Sequence, residues 1–399
     1  MLYYLWELKE LGGIWAILNI LKYISFRAAV AAMSAFLLTI ILAPRIISYL
    51  RAGKIKEDTT KSDSPELNRR HSSKKDTPTM GGVIVIFATL VSSLLFARID
   101  VLFVILALVV LILFSAIGFL DDYVKLRTSK KGISGKMKLF LQIVVALFVV
   151  LVLQQHLSKP ESVEVNFTQS RSISEKDLSI SREEGFVVED KNEPQGTSLF
   201  FPFFKGVYIP LGALFLLLGV LVIVGSSNAV NLTDGLDGLA AGCSVFVCAT
   251  FAVLSYVVGR SDFSSYLDIP YVPGAGELSV VCAALTGAIL GFLWFNCYPA
   301  SVFMGDTGSL SLGAVLGTIA ISIRQEVLLF LAGGIFVFET FSVILQVVSF
   351  QLIGKRVFRI APFHHHLEFG GEHENRVTIR LWIVGAFLAL FALSTLKMR

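Results

Sequence analysis

The stretch VLFVILALVVLILFSAIGFL runs from Val101 to Leu120 without a charged residue, and Asp121 and Asp122 follow it directly. An α-helix needs about 20 mostly apolar residues to cross a bilayer, so this stretch predicts a membrane-spanning helix that ends in two carboxylates. Over the whole chain, 55% of residues are hydrophobic, only 16% are charged, and the mean hydropathy is +0.74. The hydrophobic fraction and the mean hydropathy lie above those of soluble globular domains and the charged fraction lies below, which indicates a polytopic membrane protein.

Ten stretches have the length and composition of membrane spans, which predicts an all-α membrane protein formed as a single domain over 1–399. The eighth stretch is short and rich in glycine, so a tilted or broken helix is an open alternative there. Residues 1–24 carry charges among apolar side chains without a cleavage site, and we expect an interfacial helix rather than a signal peptide. The ten predicted spans are 26–50, 80–97, 101–120, 138–157, 209–227, 238–258, 279–298, 308–323, 327–353 and 379–396.

Lys and Arg concentrate in the loops that follow the first, third and ninth spans, whereas the loops after spans two, six and eight carry only Arg98, Arg260 and Arg324. Cytoplasmic loops retain positive charge, so odd-numbered spans are expected to exit into the cytoplasm and both termini to be periplasmic. The segment 158–198 is rich in Ser, Glu and Lys. That composition predicts a poorly ordered periplasmic insertion.

Polar residues interrupt this apolar pattern in four clusters that the predicted topology places on the cytoplasmic side. A charge near hydrocarbon costs several kcal/mol unless it meets a partner, an ion or water. Carboxylates at the membrane edge are therefore expected to have such a partner or a function. Because the four clusters share one side, they can converge on a single site. The clusters are Asp121-Asp122, NAVNLTDGLD over 228–237, NCYPASVFMGD over 296–306, and His364-His365-His366.

The paired acids Asp121 and Asp122 are expected to have separate roles, because adjacent residues on a helix point about 100° apart. The competing interpretation is an acidic helix end that only pairs with Lys125 or Arg127.

Asp234 and Asp237 are spaced i, i+3, so they would share one helix face if the sixth span began there. With Gly235 and Gly238 beside them, such a face is a candidate phosphate or nucleotide cradle. The alternative is an ordinary helix start, in which an aspartate caps exposed N–H groups.

Asp306 stands between two glycines where a cytoplasmic loop enters the eighth span. Mg²⁺ takes only one or two protein carboxylates and bridges to substrate phosphates, so one aspartate at this edge is sufficient. The three consecutive histidines cannot all face one point on a regular helix. Hydrogen bonding to phosphate is therefore favoured over a metal-binding or artefactual His tract.

Six motifs follow one another along the chain: TPTMGG (Thr77–Gly82), FLDDY (Phe119–Tyr123), NAVNLTDGLDGLA (Asn228–Ala240), GFLWFNCYPA (Gly291–Ala300), VFMGDTGSL (Val302–Leu310) and APFHHH (Ala361–His366). In this order they make the chain resemble the bacterial phospho-N-acetylmuramoyl-pentapeptide transferases, from about residue 22 to 399. The family's fold would be a polytopic helical bundle of the inner membrane with its site facing the cytoplasm, and its members are expected to be homodimers. The 158–198 insertion is the main departure.

The resemblance implies transfer of phospho-MurNAc-pentapeptide from UDP-MurNAc-pentapeptide to undecaprenyl phosphate, giving lipid I and UMP for peptidoglycan. Asp306 would ligate Mg²⁺, Asp121 and Asp122 would lie beside the lipid phosphate, and His365 would act at the diphosphate or sugar. No nucleic-acid partner is expected. The substrate contacts implied in the same way are Lys74, Thr79, Lys125, Lys138, Asn231, Asp234, Asp237, Asn296, Phe303, Gln346, His364 and His366.

Two other functions and two mechanisms are open at this point. The same acidic motifs suit a transferase of GlcNAc-1-phosphate or a related sugar phosphate, and a polytopic chain could be a transporter or lipid flippase. Acids at one membrane edge favour interfacial catalysis over alternating access. For the reaction, direct attack by the lipid phosphate is favoured over a covalent aspartyl intermediate, because a phosphate monoester is already mostly dianionic at neutral pH.

Overall fold

The computed structural model describes residues 2–11, 13–53, 74, 77–127, 132–158, 197–204 and 207–397, and it confirms the all-α prediction. The strands in these ranges are the short antiparallel pair β1 (Ser198–Phe200) and β2 (Tyr208–Pro210). The helices are α1 Ile24–Ala52, α2 Gly82–Phe96, α3 Leu102–Arg127, α4 Gly135–Leu157, α5 Leu214–Thr233, α6 Leu239–Val258, α7 Ser261–Leu267, α8 Leu278–Asn296, α9 Gly305–Ser322, α10 Glu326–Ala332, α11 Gly334–Ile353, α12 Phe363–Phe369 and α13 Glu374–Ser394.

Each of the ten predicted spans overlaps one of these helices, and the ninth overlaps two. The fifth span, 209–227, is displaced along the chain from its helix, since α5 is Leu214–Thr233. Among the described residues, eight helices are long and apolar enough to cross a membrane, namely α1, α3, α4, α5, α6, α8, α11 and α13. The remaining two spans correspond to α2, with 15 residues, and α9, with 18. At 1.5 Å per residue these helices are roughly 22 and 27 Å long, which is shorter than the hydrocarbon core.

The central helix is α9, and all of its residues from Thr307 to Ser322 are buried. It packs against α3 and α5, and its glycines allow close approach. A Cβ on Gly313 would lie 2.2 Å from the backbone oxygen of Ser226, and one on Gly82 of α2 would lie 2.3 Å from Cα of Gly308. The glycine-rich eighth span is therefore a continuous helix, and its glycines serve packing rather than a break.

Three details of the predicted helices differ from the structure in ways that affect the site. The helix of the third span does not end with its apolar run at Leu120, because α3 continues to Arg127 and carries the paired aspartates inside the helix. The ninth predicted span is divided at Gly333 into α10 and α11. Residues 234–238 belong to neither α5 nor α6, so Asp234 and Asp237 stand in a turn and do not share a helix face.

Two other predictions fall on the ends of the described ranges. The 3₁₀-helices Leu2–Leu11 and Gly13–Lys22 occupy the segment expected to be an interfacial helix, whose position relative to a membrane stays a prediction. Most of the predicted 158–198 insertion, residues 159–196, lies outside the described residues.

Candidate active site

Asp306 is the centre of the candidate site, in the first turn of α9, and its carboxylate collects cationic and polar partners from three other helices. Its Oδ2 accepts hydrogen bonds from Lys138 Nζ at 2.5 Å and Lys125 Nζ at 3.0 Å. Its Oδ1 accepts one from Asn231 Nδ2 at 2.9 Å. Two ammonium groups on one largely buried carboxylate supply charge-assisted N–H donors, which are the kind of group that binds phosphate oxygens.

The adjacent aspartates of α3 do different things, as their angular separation predicts. Asp121 accepts hydrogen bonds from the backbone N–H of Ile133 at 2.7 Å, and its other oxygen lies 2.9 Å from Lys125 Nζ and 3.4 Å from Lys138 Nζ. The simple ion pair with Lys125 therefore exists, but the same lysine also bridges to Asp306. Asp121 thus helps to hold both lysines at the central carboxylate.

Asp122 faces the start of α9, and its Oδ1 also lies 3.8 Å from Lys125 Nζ. Its carboxylate accepts hydrogen bonds from the backbone N–H of Asp306 at 3.3 Å and from Thr307 N–H and Oγ1 at 3.0 and 2.8 Å. These are helix N-terminal donors, which have no partner within their own helix. Asp122 therefore caps, from a neighbouring helix, the turn that presents Asp306.

Thr79 reaches this centre because residues 78–82 pair by backbone hydrogen bonds with residues 303 and 304. Gly305 lies at the junction with φ +72, and a Cβ there would lie 2.8 Å from Asp122 Oδ2 and 3.0 Å from Thr79 Oγ1. Both the left-handed backbone and the lack of space require glycine at this position. The TPTMGG and VFMGD motifs are thus joined by backbone hydrogen bonds at the centre of the site.

Asp237 anchors a second part of the site in the turn between α5 and α6. Its Oδ1 accepts a hydrogen bond from Lys74 Nζ at 2.7 Å, and its Oδ2 accepts one from the Ala300 N–H at 2.9 Å. Lys74 also pairs with Glu374 and lies 5.9 Å from the centroid of the Phe303 ring. Burial alone would lower the pKa of Lys74, but the carboxylates of Glu374 and Asp237 outweigh it and raise this pKa above its usual value.

The aspartates of this turn are not helix caps of the ordinary kind. Asp234 directly follows α5 as its C-cap, and the N-cap of α6 is Gly238, which offers no side chain. The helix-start alternative for the TDGLDG motif is therefore wrong as well, and the turn is an irregular segment held by other helices.

The three histidines lie on α12 and point to different partners, as expected for consecutive helical residues. His364 is fully buried, with Nδ1 3.2 Å from Glu339 Oε2, and His365 Nδ1 is 3.2 Å from Glu368 Oε2. His366 Nδ1 accepts a hydrogen bond from the Arg359 N–H at 3.1 Å. A Cβ on Gly235 would lie 2.3 Å from His364 Nε2 and 3.3 Å from His365 Nε2, so the tract packs directly on the aspartate turn.

Two predicted substrate contacts, Asn296 and Gln346, use their amides to shape loops. Asn296 Nδ2 donates to the Val302 carbonyl at 2.9 Å. Gln346 donates to the Phe358 carbonyl at 3.0 Å and accepts from the Val357 and Phe358 N–H groups at 3.1 and 2.9 Å. Both residues border the site, and their assigned role in substrate binding stays a prediction.

All four polar clusters therefore meet, through contacts from Asp122 to Asp306, from Asn231 to Asp306, from Asp237 to Ala300 and from Gly235 to the histidines. Three glutamates that the sequence analysis did not select also belong to the assembly: Glu339, Glu368 and Glu374. Glu339 could have been selected from the sequence, since it is the one charged residue within 327–353. Glu374 could not, because no sequence feature links it to its partners, which are remote in the chain.

Comparison with known proteins identifies the family. The model of Glycosyl transferase family 4 matches residues 102–324, and a phospho-N-acetylmuramoyl-pentapeptide-transferase signature matches residues 74–86. A phospho-N-acetylmuramoyl-pentapeptide-transferase of Aquifex aeolicus is 44% identical over 392 residues, which cover 96% of this chain and 97% of the relative. The chain belongs to the phospho-N-acetylmuramoyl-pentapeptide-transferase family.

A second relative with the same name, from Methylacidiphilum infernorum, is 45% identical over 402 residues and 100% of both chains. Membership of this family confirms the resemblance seen in the six motifs and makes the chain a multi-pass membrane enzyme of the transferase class. The family signature contains Lys74 and Thr79, and the family-4 match contains the Asp121, Asp237 and Asp306 motifs. The histidines and Glu374 lie beyond both matches.

Proposed function

We propose that this enzyme transfers phospho-MurNAc-pentapeptide from UDP-MurNAc-pentapeptide to undecaprenyl phosphate, forming lipid I and UMP for peptidoglycan. The proposal places the site at the cytoplasmic face of the inner membrane and both termini in the periplasm, in accordance with the distribution of Lys and Arg. The observation that supports it best is the pair of ammonium groups on Asp306, at the end of a buried membrane helix and beside the aspartate turn.

In the proposed reaction, an oxygen of the lipid phosphate attacks the β-phosphorus of the donor. A new P–O bond forms, the bond between the β-phosphorus and the bridging oxygen breaks, and UMP leaves with that electron pair. Lys125 and Lys138 are suited to hold the incoming phosphate, and Lys74 with Asp237 to hold the nucleotide. Because the acceptor is mostly dianionic at neutral pH, positioning and charge neutralisation carry the catalysis rather than a strong base.

Asp306 fits as a ligand for Mg²⁺, because carboxylate oxygen is the donor that this ion prefers and its Oδ2 already attracts two cations. Among the described residues, no group of three or more His, Cys, Asp or Glu side chains could hold a metal ion. Mg²⁺ commonly takes only one or two protein carboxylates and completes its coordination with substrate phosphates and water. When bound, Mg²⁺ would neutralise charge that develops on the diphosphate. Asp306 would hold it, while Lys125 and Lys138 orient the phosphates.

The experiment is turnover by the detergent-solubilised enzyme, measured as UMP release. We expect release only when UDP-MurNAc-pentapeptide, undecaprenyl phosphate and Mg²⁺ are all present, and near-complete loss in Asp306→Asn. Asp262→Asn, which removes an exposed carboxylate paired with Arg260, is the matched control with unchanged turnover. Equal or faster turnover with UDP-GlcNAc would replace the proposed donor, and isolation of an aspartyl-phosphosugar adduct would overturn direct attack. A mass measurement of the solubilised complex tests the proposed homodimer.

A further inference from the structure

Glu374 is a buried carboxylate whose partners all lie outside its own helix. Its Oε1 accepts hydrogen bonds from Lys74 Nζ and, at 2.8 Å, from the backbone N–H of Asp237. An acid in the first turn of a helix commonly acts only on the helix dipole. Here the same oxygen instead joins two groups of the proposed donor pocket that stand 163 residues apart in the chain.

The face of α13 that begins with Glu374 continues along the aspartate turn. Thr378 Oγ1 donates to the Asp237 carbonyl at 3.4 Å, and Trp382 Nε1 donates to the Gly238 carbonyl at 3.2 Å. Glu374, Thr378 and Trp382 are spaced i, i+4 and i+8, so they form one stripe on the helix. The indole also fills the space above Gly242, where a Cβ would lie 2.2 Å from Trp382 atoms. These three residues hold the turn at 234–238, which belongs to no helix or strand, against α13.

Glu374 differs from the other two members of the stripe because it also holds a charged side chain. The Lys74 ammonium has three N–H donors, and among the described residues Asp237 and Glu374 account for two. The two carboxylates therefore set the direction of the third donor. Among the described residues no further acceptor is found for that donor, so it is available to an anionic or carbonyl oxygen of a ligand, and its direction depends on both acids.

We propose that Glu374 is a positioning residue for the sugar-nucleotide donor, acting through the Lys74 ammonium and the Asp237 backbone. The inference rests on the proposed function, since it takes Lys74 and Asp237 as the donor side of the site. It assigns α13, which lies beyond the matched family segments, a direct part in donor affinity. The lipid acceptor, on the Lys125 and Lys138 side, is not expected to depend on Glu374.

The test is the kinetics of UMP release with both substrates varied. Glu374→Gln keeps an acceptor of the same shape but removes the charge, and we expect about a tenfold rise in donor KM, equivalent to about 1.4 kcal/mol of donor binding. The lipid KM and kcat should stay within about threefold of wild type. Glu374→Asp, which keeps the charge on a side chain that is one methylene shorter, should retain part of the donor affinity. Glu372→Gln is the matched control, because within the described part of the chain Glu372 pairs only with exposed Arg376 and Arg380.

A double variant shows whether Glu374 acts through Lys74. In a Lys74→Gln background, Glu374→Gln should weaken binding of UMP, measured by calorimetry, by a smaller factor than it does with Lys74 present, and the remaining factor reports its hydrogen bond to the Asp237 N–H. Full additivity, an unchanged donor KM in Glu374→Gln, or an equal rise in both KM values would overturn the inference. If Glu374→Gln does not yield folded protein, the donor-to-lipid KM split in Glu374→Asp decides in the same way. Failure of wild-type turnover would instead reject the proposed function.

Discussion

Replacing Asp122 tests how the central carboxylate is held. Asp122→Ala removes the acceptor for three donors: the N–H of Asp306, and the N–H and hydroxyl of Thr307. Loss of an N-cap costs about 0.5–2 kcal/mol, and each buried donor left without a partner costs about 1–3 kcal/mol. These costs are not additive, and we take about 3 kcal/mol as the net loss of positioning. The expected result is a fall of about 100-fold in kcat/KM.

Two milder variants separate capping from direct chemistry. Asp122→Asn keeps an acceptor for the helix N–H groups, and Thr307→Val removes only the hydroxyl donor. Each should cost about 1 kcal/mol, or about fivefold in kcat/KM. The assay is UMP release together with thermal unfolding in detergent, which shows whether each variant is folded. The reasoning is refuted if Asp122→Asn is as inactive as Asp122→Ala, because the charge of Asp122 would then act on the substrate itself.

Three other predictions concern the metal, the packing and a distant ion pair. Chelation with EDTA should abolish UMP release and added Mg²⁺ should restore it; activity that survives chelation would remove the metal from the mechanism. Gly118→Ala should give little folded, active protein, because its Cβ would lie 2.3 Å from a backbone oxygen of α9, whereas Gly225→Ala, with nothing within 4 Å, should behave like wild type in size-exclusion and turnover assays. Glu277→Gln should lower the unfolding temperature clearly, since it breaks a buried ion pair with Arg27, and losing one partner of such a pair costs about 3–5 kcal/mol. Arg260→Gln, in an exposed and solvent-screened pair, should leave the unfolding temperature almost unchanged, and equal losses in the two variants would contradict this account.

The predicted spans succeeded because the signal is local. A run such as Val101 to Leu120 must be helical in a bilayer, since every backbone N–H and C=O needs a partner within the segment. The ends of the helices were less predictable, because α3 continues past Leu120 to Arg127 after the apolar run has ended. Polar residues can extend a helix beyond the hydrocarbon, and composition does not mark where it stops.

The candidate site was predicted as a set of residues but not as a set of contacts. The prediction that Asp121 and Asp122 differ followed from helix geometry alone. That Asp122 caps α9 could not be predicted, because its partner Thr307 is 185 residues away in the chain. The same holds for Glu374, which reaches Asp237 across 137 residues. The turn at 234–238 was mistaken for a helix face, because its i, i+3 spacing is compatible with both structures.

Sequence alone determined that the chain is a bundle of apolar helices with its acids, lysines and histidines near the predicted cytoplasmic ends, and its motifs identified the family. Those properties depend on composition, order and local spacing. Only the tertiary structure decided which carboxylate holds which cation: Lys125 and Lys138 on Asp306, and Lys74 between Asp237 and Glu374. The physical reason is that each of these contacts depends on the rotation and separation of packed helices, which glycines such as Gly82 and Gly313 set through close backbone contact.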